Sequence, residues 1–152
     1  MKRWSLHPSH LFGLLCLVAF SAMAADTSKA VDGVEIYLGV LPAEVVLGHP
    51  LGHEERAMHG GVPARQNRYH VVVALFDADS GQRFSGARVE ATVGELGAGG
   101  TRKALEPMAI ANTETYGNWF TLSAPGIYRI RLAIDGIKGH DRLDTEMEFN
   151  RP

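Results

Sequence analysis

The segment Gly126-Ile-Tyr-Arg-Ile-Arg-Leu-Ala-Ile-Asp135 alternates apolar and polar residues over most of its length. Every second residue is apolar and is predicted to face a core: Tyr128, Ile130, Leu132 and Ile134. The residues between them include the charged side chains of Arg129, Arg131 and Asp135. This period of two predicts a half-buried antiparallel strand. Tyr128 follows Pro125-Gly126, a position that suits a corner tyrosine of an immunoglobulin-like domain.

Six further segments have strand-like patterns: Val34–Val40, Arg68–Asp77, Ala87–Glu95, Thr101–Ile110, Tyr116–Ser123 and Leu143–Asn150. Turn sequences rich in glycine, proline, aspartate and serine separate several of them: Asp79-Ser-Gly81, Gly97-Ala-Gly-Gly100 and Ala124-Pro-Gly126. We find no convincing helical pattern. About seven short strands at this spacing predict an all-β protein, an immunoglobulin-like antiparallel β-sandwich.

The first 24 residues have the three parts of a secretory signal peptide. These are the charged start with Lys2 and Arg3, the apolar run Leu11–Phe20, and the small-residue cleavage site Ala22-Met-Ala24. The apolar run is far shorter than the ~20 residues that span a bilayer, which disfavours an uncleaved anchor. We therefore expect a periplasmic domain of residues 25–152 without a membrane span. The only cysteine, Cys16, would be removed with the signal peptide.

The charge of the chain bears on its partners. The formal net charge is −2 and becomes −4 when Lys2 and Arg3 are removed. This mild acidity disfavours a nucleic-acid partner, which would require a basic patch. The sequence has neither a GxSxG nucleophile motif nor a paired-carboxylate motif, so we do not expect an enzyme.

The segment Arg68–Asp77 is largely apolar on both of its faces. A strand of this kind needs cover on both sides. Two sources of cover are open: the long segment Leu41–Asn67 could fold back over the strand, or a second subunit could pack on it. The second alternative predicts a homodimer.

The segment His49-Pro-Leu-Gly-His-Glu-Glu-Arg-Ala-Met-His-Gly-Gly61 holds three of the seven histidines and one of the five methionines. Imidazole and thioether ligands together suit copper better than magnesium or calcium. Single histidines are more often surface or capping residues than ligands, so the clustering is what favours a metal site. We take this histidine-rich loop, residues 41–67, as a candidate metal-capturing segment.

Five residues are candidate metal ligands: His53, His59, His70, Met108 and His140. His59 precedes two glycines that permit a sharp turn, and His70 begins a strand eleven positions later. Met108 follows Pro107 at the end of a predicted strand, where its thioether is either a ligand or core filling. His53 and His49 rank lower as a pair, because Pro50 and Gly52 disfavour a helix there.

Two stretches of the sequence, Asp32–Pro42 and Pro107–Tyr128, resemble the periplasmic iron- and copper-binding proteins that accompany high-affinity iron permeases in bacteria. The second stretch contains the Pro-Met, Tyr-Gly and Pro-Gly-x-Tyr elements of that family. The resemblance implies a dimeric immunoglobulin-like sandwich that binds a metal through one methionine and several histidines.

Transferred residue by residue, Met108 matches the family's methionine ligand, His59 is a looser match to an early histidine, and His140 matches its last histidine. Two positions depart from the pattern. Thr115 stands where the family has a histidine, and Gly61 stands where it has an acidic residue. His70 or His53 would have to complete the site.

Together these features predict a periplasmic protein that binds copper or iron in uptake, delivery or sequestration, with an envelope metal transporter or oxidase as partner. The alternative is an immunoglobulin-like adhesion or assembly module that binds a protein partner. Convergence of His59, His70 and Met108 favours the first alternative, and scattered positions favour the second.

Overall fold

The computed structural model of the protein describes residues 27–48, 56, 60–63, 66–110 and 113–152. In these ranges the chain forms eight strands and one regular α-helix. The strands are β1 (Ser28–Val31), β2 (Val34–Pro42), β3 (Arg68–Asp77), β4 (Arg88–Glu95), β5 (Thr101–Ile110), β6 (Thr113–Thr121), β7 (Gly126–Asp135) and β8 (Leu143–Arg151). The helix α1 (Ala43–Leu47) follows β2 directly. The predicted signal peptide, residues 1–24, lies outside the described residues.

The eight strands form one antiparallel sheet in the order β1-β2-β3-β6-β5-β4-β7-β8. Strand β5 joins the two halves, because Thr101–Leu105 pairs with β4 and Glu106–Ile110 pairs with β6. The sheet folds over so far that its two edge strands approach each other. Lys29 of β1 donates a hydrogen bond of 3.0 Å from Nζ to the carbonyl oxygen of Glu146 in β8. The result is a nearly closed barrel.

The core lies inside this folded sheet. The alternating apolar residues of β7 are buried, as the sequence predicts, and they belong to the same cluster as the inner residues of β3. The inner residues of β3 are Tyr69, Val71, Val73 and Leu75. Each strand therefore keeps one face for the core, and the other face is free to carry a site.

The structure confirms the all-β antiparallel class, and apart from strand ends that shift by one or two residues it shows three larger differences from the seven-strand prediction. The short strand β1 is an extra strand, joined to β2 by a tight turn in which Asp32 and Gly33 both have positive φ. Strand β6 begins at Thr113 instead of Tyr116. Helix α1 occupies the start of the predicted loop, where Ala43 and Val46 are buried by packing that a sequence pattern does not reveal.

The finer prediction of an immunoglobulin-like sandwich is not confirmed, since the strands form a single continuous sheet. One feature of that fold is present. The Tyr128 hydroxyl donates a hydrogen bond of 3.0 Å to the carbonyl oxygen of Ala124 and accepts one of 3.1 Å from its amide. This corner holds the chain where it enters β7, as predicted. In the part of the chain that is described, no helix has the length and apolar character of a transmembrane span.

Candidate metal centre

The outer face of β3 carries His70 near the start of the strand. His70 is the cross-strand partner of Trp119 in β6, and Val72 is the partner of Gly117. Cross-strand partners share one face of a sheet, so His70, Gly117 and Trp119 all lie on the outer side. His70 is nevertheless completely buried, and both of its ring nitrogens are shielded from solvent.

Gly117 provides the space in which two soft donors meet. A Cβ atom built on Gly117 would lie 2.8 Å from His70 Nε2 and 2.8 Å from Met108 Sδ. The imidazole nitrogen and the thioether sulfur are therefore no farther apart than the sum of these two distances. Any side chain at this position would occupy the gap. The structure thus brings together His70 and Met108, two of the five candidate metal ligands.

Met108 reaches this gap from β5, where it pairs with Thr115 of β6. Its side chain is only 4% exposed, but it also borders an open groove of about 380 Å³ beside Pro107 and Glu114. The Thr115 hydroxyl donates a hydrogen bond of 3.4 Å to the carbonyl oxygen of Met108. Thr115, which stands where the resembled proteins have a histidine, therefore lies beside Met108. Its hydroxyl bonds to the backbone carbonyl of Met108.

Trp119 covers the imidazole from one side. The rings of His70 and Trp119 are stacked, with centroids 4.7 Å apart and planes 25° apart. The indole is itself buried under the segment that the sequence analysis treats as a loop. It packs in one cluster with Ala43, Val46, Leu41 and Val62. The described part of residues 41–67 thus covers the His70 end of β3, which is one of the two sources of cover that the sequence left open.

Two cationic side chains, one from each strand that flanks β6, bond to the backbone of Trp119. Lys103 Nζ donates a hydrogen bond of 2.7 Å to the Trp119 carbonyl oxygen, and Arg68 donates one of 3.4 Å to the same atom. Burial, together with the nearby Arg68 charge, lowers the pKa of Lys103. These bonds restrain the strand that presents Gly117 and Trp119.

A buried tyrosine braces the same strand. The Tyr116 hydroxyl donates a hydrogen bond to the Glu114 carboxylate and accepts one of 3.0 Å from the Ala87 amide. Glu114 also accepts a hydrogen bond of 2.6 Å from the amide of Gly86. Burial, and then the Glu114 hydrogen bond, raise the pKa of Tyr116 to about 12. This network ties the start of β6 to the loop before β4.

His140 is not brought to the pair. Its ring contacts Phe84 edge-on at 5.5 Å, and its Cε1 lies near Gly33 in the β1–β2 turn. Gly33 adjoins Val34, which pairs with Asp77 at the end of β3, whereas His70 lies near the start of that strand. Seven residues of extended strand separate the two ends by roughly 23 Å. The prediction that His140 completes the site has no support in this geometry.

His53 and His59 lie outside the described residues, so their placement relative to the pair stays a prediction. Among the residues that are described, no group of three or more histidine, cysteine, aspartate or glutamate side chains is arranged for a metal. The observed donor set is one imidazole and one thioether, a pair that suits copper.

Sequence reasoning missed two residues of this site, Gly117 and Trp119. A glycine inside a strand is the signal for the first, since it marks a bulge or a close approach of another group. The second gives no such signal, because a tryptophan in a strand is ordinary core material.

Comparison with known proteins shows which solved structures have a similar fold. No protein-family model matches the chain, and no curated protein matches it in sequence. Among solved structures it is similar to FetP of uropathogenic Escherichia coli strain F11, a protein of the kind that the sequence resembles. The structure of FetP as isolated has a TM-score of 0.62 at 15% identity, covering 83% of this chain and 93% of FetP.

A copper-bound variant of the same FetP has a TM-score of 0.60 at 16% identity, covering 82% of this chain and 93% of that chain. The fold is also similar to that of a DUF4426 family protein of Pseudomonas aeruginosa PAO1. That structure has a TM-score of 0.58 at 10% identity and covers 81% of this chain and 94% of its own. At such identities the likeness establishes a shared fold.

Proposed function

We propose that this chain is a metal-binding protein of the bacterial periplasm that takes up, delivers or sequesters copper or iron. It acts as a binding protein and not as an enzyme, and it passes the bound metal to an envelope transporter or oxidase. The observation that carries the proposal is the convergence of His70 Nε2 and Met108 Sδ in the gap over Gly117. Support comes from the similar fold of FetP, one structure of which is copper-bound.

Copper fits this donor set better than iron does. A thioether is a soft ligand that favours Cu(I), and imidazole binds both oxidation states of copper. One imidazole and one thioether leave room for a further ligand. We propose that His59 or His53 supplies it from the histidine-rich segment, in which Val62 of the Trp119 cluster follows His59 by three residues.

The location and assembly of the protein are part of the same proposal. Residues 1–24 act as a cleavable signal peptide, and the domain is a variant of the immunoglobulin-like sandwich, which the Tyr128 corner supports. The protein works as a homodimer. The outer face near the end of β3, which the Trp119 cluster does not cover, supports this. There Tyr37 of β2 and Phe76 of β3 line an open groove of about 640 Å³.

A competition titration against a calibrated Cu(I) chelator tests the metal site. The protein is purified after export, and the variants are Met108→Leu and His70→Leu. Met108→Leu keeps most of the side-chain volume and removes the sulfur, so it should weaken Cu(I) binding with little loss of stability. His70→Leu should weaken Cu(I) and Cu(II) binding together. Met147→Leu is the matched control, since Met147 is equally buried in β8 but lies in the core.

If the wild-type protein and all three variants bind copper equally weakly, the metal proposal fails. The second candidate function, a module that binds a protein partner, then remains. The specific observation that favours it is the open aromatic groove at Tyr37 and Phe76, whose rings contact each other edge-on at 5.4 Å.

A further inference from the structure

The position of Trp119 has a consequence for the kind of ion that the site accepts. Trp119 is 3% exposed and stacks on His70, and it is the cross-strand partner of that histidine. Its indole Nε1 is buried and has no hydrogen-bond partner among the described residues. Packing against α1 and the stack on His70 therefore hold the indole in place.

The stacking relates the plane of the indole to the plane of the imidazole, in which a bound metal ion would lie. A metal bound to imidazole lies in the plane of the ring, along the direction of the nitrogen lone pair. The indole plane is tilted by only 25° from that plane. An ion held by His70 Nε2 would therefore lie in a plane roughly parallel to the indole plane, on the side of the imidazole where Met108 Sδ approaches Gly117.

The π-face of an indole attracts a cation, and the attraction is strongest where both groups are removed from water. It adds no lone pair and takes up space next to the ion. Cu(I) accepts few soft ligands, whereas Cu(II) prefers additional nitrogen or oxygen ligands in a tetragonal arrangement. An indole face in place of a water or carboxylate ligand therefore favours Cu(I) over Cu(II).

We infer that Trp119 is a specificity-determining residue, whose indole face contacts the metal and selects Cu(I) over Cu(II). The inference rests on the proposed function. It adds to that function the oxidation state of the copper that is preferred and the residue that determines this preference. Cation–π contacts in desolvated sites correspond to roughly a ten- to thirty-fold effect on affinity. Loss of the indole should reduce Cu(I) affinity by about that factor and leave Cu(II) affinity unchanged or higher.

The chain offers a direct spectroscopic readout. It has two tryptophans, Trp4 and Trp119, and Trp4 lies in the predicted signal peptide. In the exported and processed protein, the tryptophan signal would come from Trp119 alone. Titration with Ag(I), a redox-inert substitute for Cu(I), should perturb the near-ultraviolet indole absorption and quench the fluorescence until one equivalent is bound.

The decisive measurement is the ratio of Cu(I) to Cu(II) affinity in Trp119→Phe and Trp119→Leu. We expect the ratio to fall about tenfold in the leucine variant and less in the phenylalanine variant, which keeps a weaker π-face. Phe120→Leu is the control, because Phe120 is the next residue of β6 and its side chain belongs to the core. It should lower the thermal unfolding midpoint without changing the ratio.

Two results overturn the inference. Equal losses of Cu(I) and Cu(II) affinity in Trp119→Leu would show a packing role only, and an indole spectrum unchanged by saturating Ag(I) would show no contact. A wild-type protein that binds no copper would instead overturn the proposed function, and this inference with it. If the wild-type protein binds Cu(I) and its indole absorption and fluorescence do not change, this inference alone is overturned.

Discussion

His70 and Met108 approach each other from opposite sides of β6, the strand that lies between β3 and β5. Their donor atoms, Nε2 and Sδ, are both 2.8 Å from the point where Gly117 would carry a Cβ. The two residues are far apart in sequence and become neighbours because a single position between them has no side chain. A glycine in the middle of a paired strand weakens the strand, so this position is better explained by the site than by the sheet.

The first prediction concerns this glycine. In Gly117→Ala the new methyl group would contact both donor atoms closer than van der Waals distance, so both donor atoms or the strand itself must shift. We expect copper affinity to fall at least tenfold and the free energy of unfolding to fall by about 1–3 kcal/mol. Chelator competition and urea unfolding measure the two effects.

Gly39→Ala is the matched control for this change. Gly39 lies in a strand on the same half of the sheet, and a Cβ there would have ordinary contacts of 3.7 Å or more. It should leave copper affinity unchanged. Unchanged copper affinity in Gly117→Ala would show that the gap is not where the metal binds.

The second prediction separates the histidines. His59→Ala and His53→Ala should each be tested for copper affinity, and at least one should weaken it, since the pair at Gly117 lacks a further ligand. His140→Ala should have no effect, because its ring lies near Phe84 and the β1–β2 turn. If only His140→Ala lowers the copper affinity, the proposed site at His70 and Met108 is contradicted.

The third prediction concerns alkaline pH. Tyrosine in an unfolded chain titrates near 10, and in the folded protein the pKa of Tyr116 is raised to about 12. The folded state therefore holds the phenolic proton more tightly than the unfolded state. The stability that results is complete below pH 10 and is lost as the pH rises through 12.

Tyr116→Phe tests this linkage. The variant should be less stable at pH 8 by about 1 kcal/mol, because it loses two hydrogen bonds, and its stability should fall less steeply above pH 10 than that of the wild type. Urea unfolding at several pH values measures both effects. Tyr37→Phe, at an exposed tyrosine, is the control. Parallel pH profiles for the wild type and Tyr116→Phe would refute the prediction.

The fourth prediction concerns self-association. Sedimentation at micromolar concentration should show a dimer, and Tyr37→Lys should dissociate it by placing a charge on the open outer face of β2 and β3. Leu96→Lys is a matched control, since Leu96 and Tyr37 are both 47% exposed but Leu96 lies in the β4–β5 turn. If the wild-type protein is a monomer at every concentration, the homodimer is refuted, and residues 41–67 alone cover the outer face of β3.

The fifth prediction concerns export. Expression of the whole chain in a bacterium should yield periplasmic protein whose mass corresponds to a start at Ala25. Replacing Ala22 and Ala24 with bulky residues should block processing and retain the longer form at the membrane. A periplasmic or cytosolic protein that still carries residues 1–24 would contradict the signal-peptide prediction.

Much of the fold follows from local patterns. The alternation in β7 identifies its buried face without knowledge of any partner strand, because successive side chains of a strand point to opposite sides. The same reasoning locates β3, β4, β5 and β8 to within a residue or two. It misses β1 and α1, which are too short to show a period and depend on their neighbours for stability.

The sequence by itself determined that the protein is all-β and antiparallel, and that imidazole and thioether groups suited to copper are present. It also singled out His70 and Met108 individually. Only the tertiary structure decided that these two meet over Gly117, that Trp119 stacks on the imidazole, and that His140 lies elsewhere. The physical reason is that strand order and register depend on contacts between distant segments, whereas periodicity reports only on which face each side chain occupies.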